Sequence, residues 1–193
     1  MGNSAGCGRK WCKGHRDGER KGISLDFLGF DAEARVAYSK LDCALTSGDA
    51  EDYAKIILTA PGKPVVDVEI NSTDAFCDYN LKIQGSRGTY KCTYENYKMI
   101  YYVDSENPER PVAAEFLRDE EGLPLYCSEE LVLHEEEGGF VGSAFDAAVE
   151  SFYRMLHNTL STGAPLVVKP EWAAQIINVI ETVHGQNPLP VKY

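Results

Sequence analysis

The residues best suited to chemistry are sparse and widely spaced in this chain. Cys7, Cys12 and His15 follow a C-x4-C-x2-H pattern. A structural zinc site wants four ligands in tighter pairs, and no fourth ligand lies near, so the pattern predicts no metal site. Trp11 stands among basic residues and could stack on a base, but loose tail chemistry explains it as well. Three more histidines follow. His134 belongs to a strand-like run and could face either way, His157 sits off the apolar stripe of a helix, and His184 lies in a last helical turn, where a cation complements the dipole. Cys127 beside Tyr126 has no His or Asp partner in view, so it does not read as a nucleophile. Glu135-Glu136-Glu137 reads as a solvated loop and Asp26 as a carboxylate near the start of a short helix. The glycines between Gly2 and Gly8 follow no strand and lack G-x-G-x-x-G spacing, so they do not predict a phosphate cradle.

The bulk of the chain sets the frame for these groups. Its 193 residues, 44% hydrophobic and 25% charged, are enough for one ordinary domain with a core, or a domain plus a tail. No apolar run approaches the roughly 18 residues a membrane span needs. The first residues are basic without an apolar stretch behind them, so no secretory signal is read. The six cysteines are scattered and read as reduced thiols, which points to a cytoplasmic protein. Net charge is −11, unevenly spread. Residues 1–22 hold six Lys/Arg against Asp17 and Glu19, which leaves 13 basic and 28 acidic residues in 23–193. A body that acidic repels phosphate backbones, so neither nucleic acid nor membrane is expected as a partner. The glycine-rich, basic stretch 1–22 cannot build a core and reads as a disordered tail, with the folded domain over 23–193.

The elements that must position any site are legible from periodicity. Leu25-Asp26-Phe27-Leu28 forms a helical turn or two, closed by Gly29. Strand-like runs follow at Arg35–Leu41, Asp52–Ala60, Val65–Asn71, Tyr79–Gln84, Thr89–Tyr94, Met99–Val103, Val112–Leu117 and Leu131–His134. Pro61-Gly62 and Gly85-Ser86-Arg87-Gly88 are turns between them. Short turns favour antiparallel pairing, and polar alternate positions leave one sheet face only partly buried. Two helices close the chain. Ser143 caps the first, which runs through Leu160 with a stripe of Phe145, Val149, Phe152, Leu156 and Leu160, and Gly163 stands just beyond its end. After Leu166-Val167-Val168, Pro170 starts the second, with a stripe of Trp172, Ile176, Val179, Ile180 and Val183, ending at Gly185. Both stripes are read as core. The fold class is α+β: a large, mostly antiparallel, open-faced sheet with helices packed on one face.

Four segments carry a resemblance to a known family. They are Gly48-Asp49-Ala50-Glu51-Asp52-Tyr53, Tyr79–Gly88 (YNLKIQGSRG), Phe152–Val168 (FYRMLHNTLSTGAPLVV) and Pro170–His184 (PEWAAQIINVIETVH), followed by His184-Gly185-Gln186-Asn187-Pro188-Leu189. In this order and spacing they resemble the C-terminal domain of the glucose–fructose oxidoreductase, inositol dehydrogenase and rhizopine catabolism family. The resemblance implies an NAD- or NADP-dependent sugar or polyol oxidoreductase whose first half is a Rossmann domain holding the cofactor, and whose sheet domain walls the substrate pocket and makes oligomer contacts. It implies a homo-oligomer through the sheet face and allows a separate Rossmann-domain chain as a partner. The family's active-site His, three residues before an Asp, falls on Ile23, with Asp26 at the Asp position. Isoleucine cannot carry a proton. The reading is therefore a substrate-side and oligomerisation domain that binds no cofactor by itself and is inactive alone. A non-catalytic assembly or binding module, or a truncated remnant, is the alternative.

Overall fold

The computed structural model describes residues 24–45, 50–76, 78–109, 118–124 and 130–188. The tail, Ile23, Cys127 and the strand expected at Val112–Leu117 lie outside them. The chain divides into two compact units, Met1–Cys77 with Phe152–Tyr193, and Asp78–Ser151.

The first unit begins with a helical turn over residues 24–28 (α1). Leu25 and Leu28 recur at i and i+3 and are both fully buried, while Asp26 and Phe27 face out. Gly29 ends the turn at φ +84°, a left-handed conformation that costs glycine nothing. Three antiparallel strands follow: β1 (Arg35–Asp42), β2 (Tyr53–Thr59) and β3 (Val66–Asn71), in that spatial order. β2 alternates strictly, with Ala54, Ile56 and Leu58 buried and Tyr53, Lys55, Ile57 and Thr59 half-buried. In the register, Ile56 opposes Val68 and Ala54 opposes Ile70, so their side chains share one face. A bulge between Val36 and Tyr38 interrupts β1.

The core of this unit is that face closed by α1 and the last helix, α3 (Pro170–Gln186), which supplies Val179 and Val183. Pro170 occupies the helix start as expected, where its missing N–H is not needed. The helix runs past Gly185 and is capped at Asn187, whose backbone N–H donates to the Val183 and His184 carbonyls. Phe30 stacks on Trp172 at 4.4 Å and 5° between ring planes, and Gln175 Nε2 donates to the Phe30 carbonyl at 2.7 Å. These contacts tie the chain leaving α1 to the first turns of α3.

The second unit is a four-stranded antiparallel sheet of β4 (Leu81–Gly85), β5 (Gly88–Cys92), β6 (Asn96–Tyr101) and β7 (His134–Gly139), in sequence order. Ser86-Arg87 forms the two-residue loop between the paired Gly85 and Gly88, as the turn chemistry predicts. At the next loop Thr93 Oγ1 accepts from the Glu95 and Asn96 N–H groups at 3.2 and 3.1 Å. β7 starts where its run was expected to stop. Glu135-Glu136-Glu137 is therefore strand, not loop: Lys98 and Tyr101 on β6 supply partners, and charge is ordinary on an edge strand.

α2 (Ala144–Thr162) is capped by Ser143, whose Oγ accepts from the Asp146 N–H at 3.2 Å. Gly163 follows it at φ +74°. Its stripe is not closed core: Phe145 is 46% exposed, Phe152 44% and Leu160 79%, with only Met155, Leu156 and Thr159 half-buried along its second half. Spacing shows which face of a helix is apolar; it does not show what covers that face. The α+β class with antiparallel strands holds, and among the described residues hydrogen bonds join the strands into two sheets.

Candidate functional site

Asp26, the one residue singled out for catalysis, is exposed on α1 and makes no ion pair or side-chain hydrogen bond among the described residues. Its backbone carbonyl accepts from Gly29 N at 3.1 Å, closing the helical turn. Ile23 lies outside the described residues, and among the described residues no second acid–base group is paired with Asp26.

The described histidines are each engaged structurally or exposed. His184 pairs with Glu51 at 3.1 Å. Beside it, Gln186 Oε1 accepts from Ser39 Oγ at 2.6 Å, and Asn187 Nδ2 donates to the same hydroxyl at 2.8 Å and to the Val183 carbonyl at 2.9 Å. The His184–Asn187 motif thus anchors the end of α3 to β1 and to the chain entering β2. His157 is exposed on α2, as expected from its place off the stripe. His134 stacks on Tyr101 at 5.3 Å, its Nε2 in contact with Glu106 Oε2. Among the described residues no group of three or more His, Cys, Asp or Glu is placed to hold a metal ion. No described helix is long and apolar enough to cross a membrane.

The second sheet carries two contrasting faces, and the register defines them. Leu81, Ile83, Tyr90, Cys92, Tyr97, Met99, Tyr101 and His134 share one face, mostly aromatic and apolar, with Glu136 opposite Met99 as a charged member. Tyr97 packs on Tyr90 and Phe140 at ring separations of 6.0 and 5.6 Å. A side chain at Gly138 would meet the Tyr97 ring at 2.8 Å, so glycine there lets the ring lie across β7. Burial pushes the Tyr90 phenol up, and the hydrogen bond to Glu136 raises Tyr101.

The opposite face is polar. Lys82, Lys91, Lys98 and Glu137 oppose one another in register across all four strands. Lys98 Nζ binds Glu135 at 2.7 Å, and that contact holds its ammonium above the usual range. An open groove of about 490 Å³ draws Lys91, Lys98, Asn96 and Glu137 from this face and Cys92, Tyr97 and Gly138 from the other, with Asp78 and Thr93 also in its wall. Sequence reasoning missed this groove. The signal was present in the period-two placing of lysines on three successive strands, but it becomes visible only once the two hairpins fix the register.

The chain's fit to a dinucleotide can be tested on its own strand-to-helix junction. Gly138-Gly139-Phe140-Val141-Gly142-Ser143 joins β7 to α2. Its glycines lack G-x-G-x-x-G spacing, β7 pairs antiparallel, and the Asp146 N–H in the first turn is already taken by Ser143. This junction does not fit the phosphates of a nicotinamide dinucleotide.

No family model matches the chain, and no curated protein matches its sequence. Solved structures do share its fold. An NAD-binding protein from Listeria innocua aligns at TM-score 0.56 and 17% identity, over 84% of this chain and 45% of that one. A "putative oxidoreductase" from Bacteroides fragilis aligns at 0.57 and 12%, over 88% and 46%. Another so named, yvaA from Bacillus subtilis, aligns at 0.51 and 13%, over 88% and 48%. The chain spans less than half the length of each, and the likeness at these identities is one of fold.

Proposed function

We infer that this chain supplies the sheet-bearing, substrate-side domain of an NAD(P)-dependent sugar or polyol oxidoreductase of the glucose–fructose oxidoreductase, inositol dehydrogenase and rhizopine catabolism type. The observation that carries this reading is the fold likeness, which takes in nearly all of this chain and just under half of proteins named as NAD-binding or oxidoreductases. The residues that carry the sequence resemblance support it: the His184–Asn187 motif holds α3 against the first sheet. The hydride chemistry belongs to the nicotinamide, and in this reading its site belongs to a nucleotide-binding domain that the described residues do not form. Asp26 keeps the family's carboxylate, while Ile23 removes its proton carrier, so the chain alone turns nothing over.

Titration of the purified chain with NADH and NADPH, followed by nicotinamide fluorescence, tests this. No binding is expected. Micromolar affinity would place a cofactor site inside this chain and overturn the assignment.

The second reading, a non-catalytic assembly module, is favoured by Ile23 and by the aromatic face of the second sheet. A reading frame for a Rossmann domain beside this gene, whose product restores nicotinamide binding on mixing, would decide for the enzyme.

A further inference from the structure

Three lysines stand side by side on the polar face of the second sheet, Lys82 opposite Lys91 and Lys91 opposite Lys98. Directly opposed residues on neighbouring strands hold their Cβ atoms about 5 Å apart, and like charges so placed repel. The arrangement is costly, and carboxylates are not scarce: the chain has 30 Asp and Glu against 19 Lys and Arg. Yet among the described residues only Lys98 of the row is ion-paired, to Glu135, and Lys82 and Lys91 make no ion pair there. A lysine on an edge strand such as β4 is an ordinary guard against edge-to-edge pairing. That does not account for Lys91, which lies on the interior strand β5 and lines the groove.

We propose that this groove binds a small hydroxylated anion, with a single phosphate or carboxylate group seated on Lys91 and Lys98 in its wall, and Lys82 next to Lys91 in the row but outside the lining. An anion there turns the repulsion within the row into shared attraction, and charge-assisted hydrogen bonds from ammonium groups are among the stronger ones. The rest of the lining defines the rest of the ligand. Asp78 and Glu137 place carboxylates in the wall, and Asn96 adds an amide. These groups accept hydrogen bonds from hydroxyls and repel a second anionic group. The ligand is therefore a monoester or a hydroxy acid, and a polyanion such as nucleic acid does not fit. The inference rests on the groove alone and is independent of the oxidoreductase reading.

Glucose 6-phosphate is the probe, with glucose and inorganic phosphate as controls, using the whole chain in calorimetry and thermal melts. Saturable binding of glucose 6-phosphate is expected, weakening as salt rises, with phosphate bound about tenfold more weakly and glucose not at all. Lys91→Gln is expected to raise the melting midpoint of the free protein, because it relieves the row, and to weaken glucose 6-phosphate binding about tenfold. Lys82→Gln should shift both in the same directions by less, and Lys63→Gln should change neither. Three results would overturn the proposal: no saturable binding of glucose 6-phosphate, binding that Lys91→Gln leaves intact, or a Lys91→Gln midpoint at or below that of the parent. Equal affinity for phosphate and glucose 6-phosphate would remove the hydroxylated part of the ligand.

Discussion

Asp52 has the most consequential side chain in the first unit that lies outside its apolar core. It is 6% exposed, and its two carboxylate oxygens accept from the Ala44 and Leu45 N–H groups at 2.8 and 2.5 Å. Its backbone N–H donates to Asp42 and its carbonyl accepts from Ser72, so one residue joins the ends of all three strands. Asp52→Ala would leave two donors unmet around a buried site and should lower stability by about 2–4 kcal/mol in urea unfolding, with Asp52→Asn losing less. Lys55, on the outward face of the same strand, reports on pH. Its hydrogen bond to Asp67, with a second to Glu69, holds the ammonium well above its ordinary range. A raised folded-state value means the contribution is complete below the unfolded value, about 10.4, and is lost as pH climbs through the folded one. Tyr53, raised by burial and then by Glu69, has the same sign. Unfolding free energy should therefore fall above about pH 10, and Lys55→Met should flatten that alkaline slope because it already lacks, at neutral pH, the stability the parent loses only on the alkaline side. An unchanged slope in the variant would show that Lys55 contributes no such linkage.

At the scale of elements, the hairpin between β4 and β5 shows how tightly the second sheet is built. Gly88 lies opposite Tyr101, and a Cβ there would come 2.5 Å from the Ile100 carbonyl oxygen and 2.6 Å from Tyr101 Cβ. Gly85, its partner across the turn, would meet nothing nearer than 3.5 Å. Gly88→Ala should destabilise this sheet by about 2 kcal/mol or more, whereas Gly85→Ala should stay within about 0.5 kcal/mol, as judged by amide exchange on β5 and β6. Both glycines were read simply as turn residues, because sequence marks a turn without showing what lies across from it. Alternation gave β1 to β5 closely, since Val, Ile and Tyr at period two leave little room for a helix. It failed at β7, where three glutamates looked like solvent-loving loop until their partners on β6 were in place. Helix ends were legible where chemistry marks them, at Ser143, Gly163 and Pro170. The fate of the α2 stripe was not, because an amphipathic pattern is silent about its cover. For the site, the lysines were in view as polar alternates, but a row across three strands exists only in the folded register.

For the whole molecule, the remaining question is what meets the open sheet faces. From the sequence alone, Tyr53, Ile57 and Val65, with the cluster Tyr94, Tyr97 and Tyr101 further on, read as apolar or aromatic positions of one open sheet face. Tyr53 and Ile57 belong to one sheet, and Tyr97 and Tyr101 to another. Tyr53 and Ile57 share the outer face of the first sheet with Lys55, Asp67 and Glu69, which makes that face charged. Val65 lies just before β3, and Tyr94 sits in the loop before β6. Only Tyr97 and Tyr101 join a broad apolar surface, the aromatic face of the second sheet, where none of Leu81, Ile83, Tyr90 and Met99 is fully buried. Aromatic side chains with wet hydroxyls are the groups that protein interfaces favour, and monomers seldom leave such a surface bare. Self-association should therefore run through this face, with a two-fold dimer as the simplest closed arrangement. Light scattering at rising concentration should show a mass above one chain. Ile83→Lys and Met99→Glu, which put charge at the centre of the face, should return it to a monomer. The same variants should leave the melting of the first unit unchanged. A parent protein that stays monomeric as concentration rises would mean the aromatic face is covered by something other than a second copy.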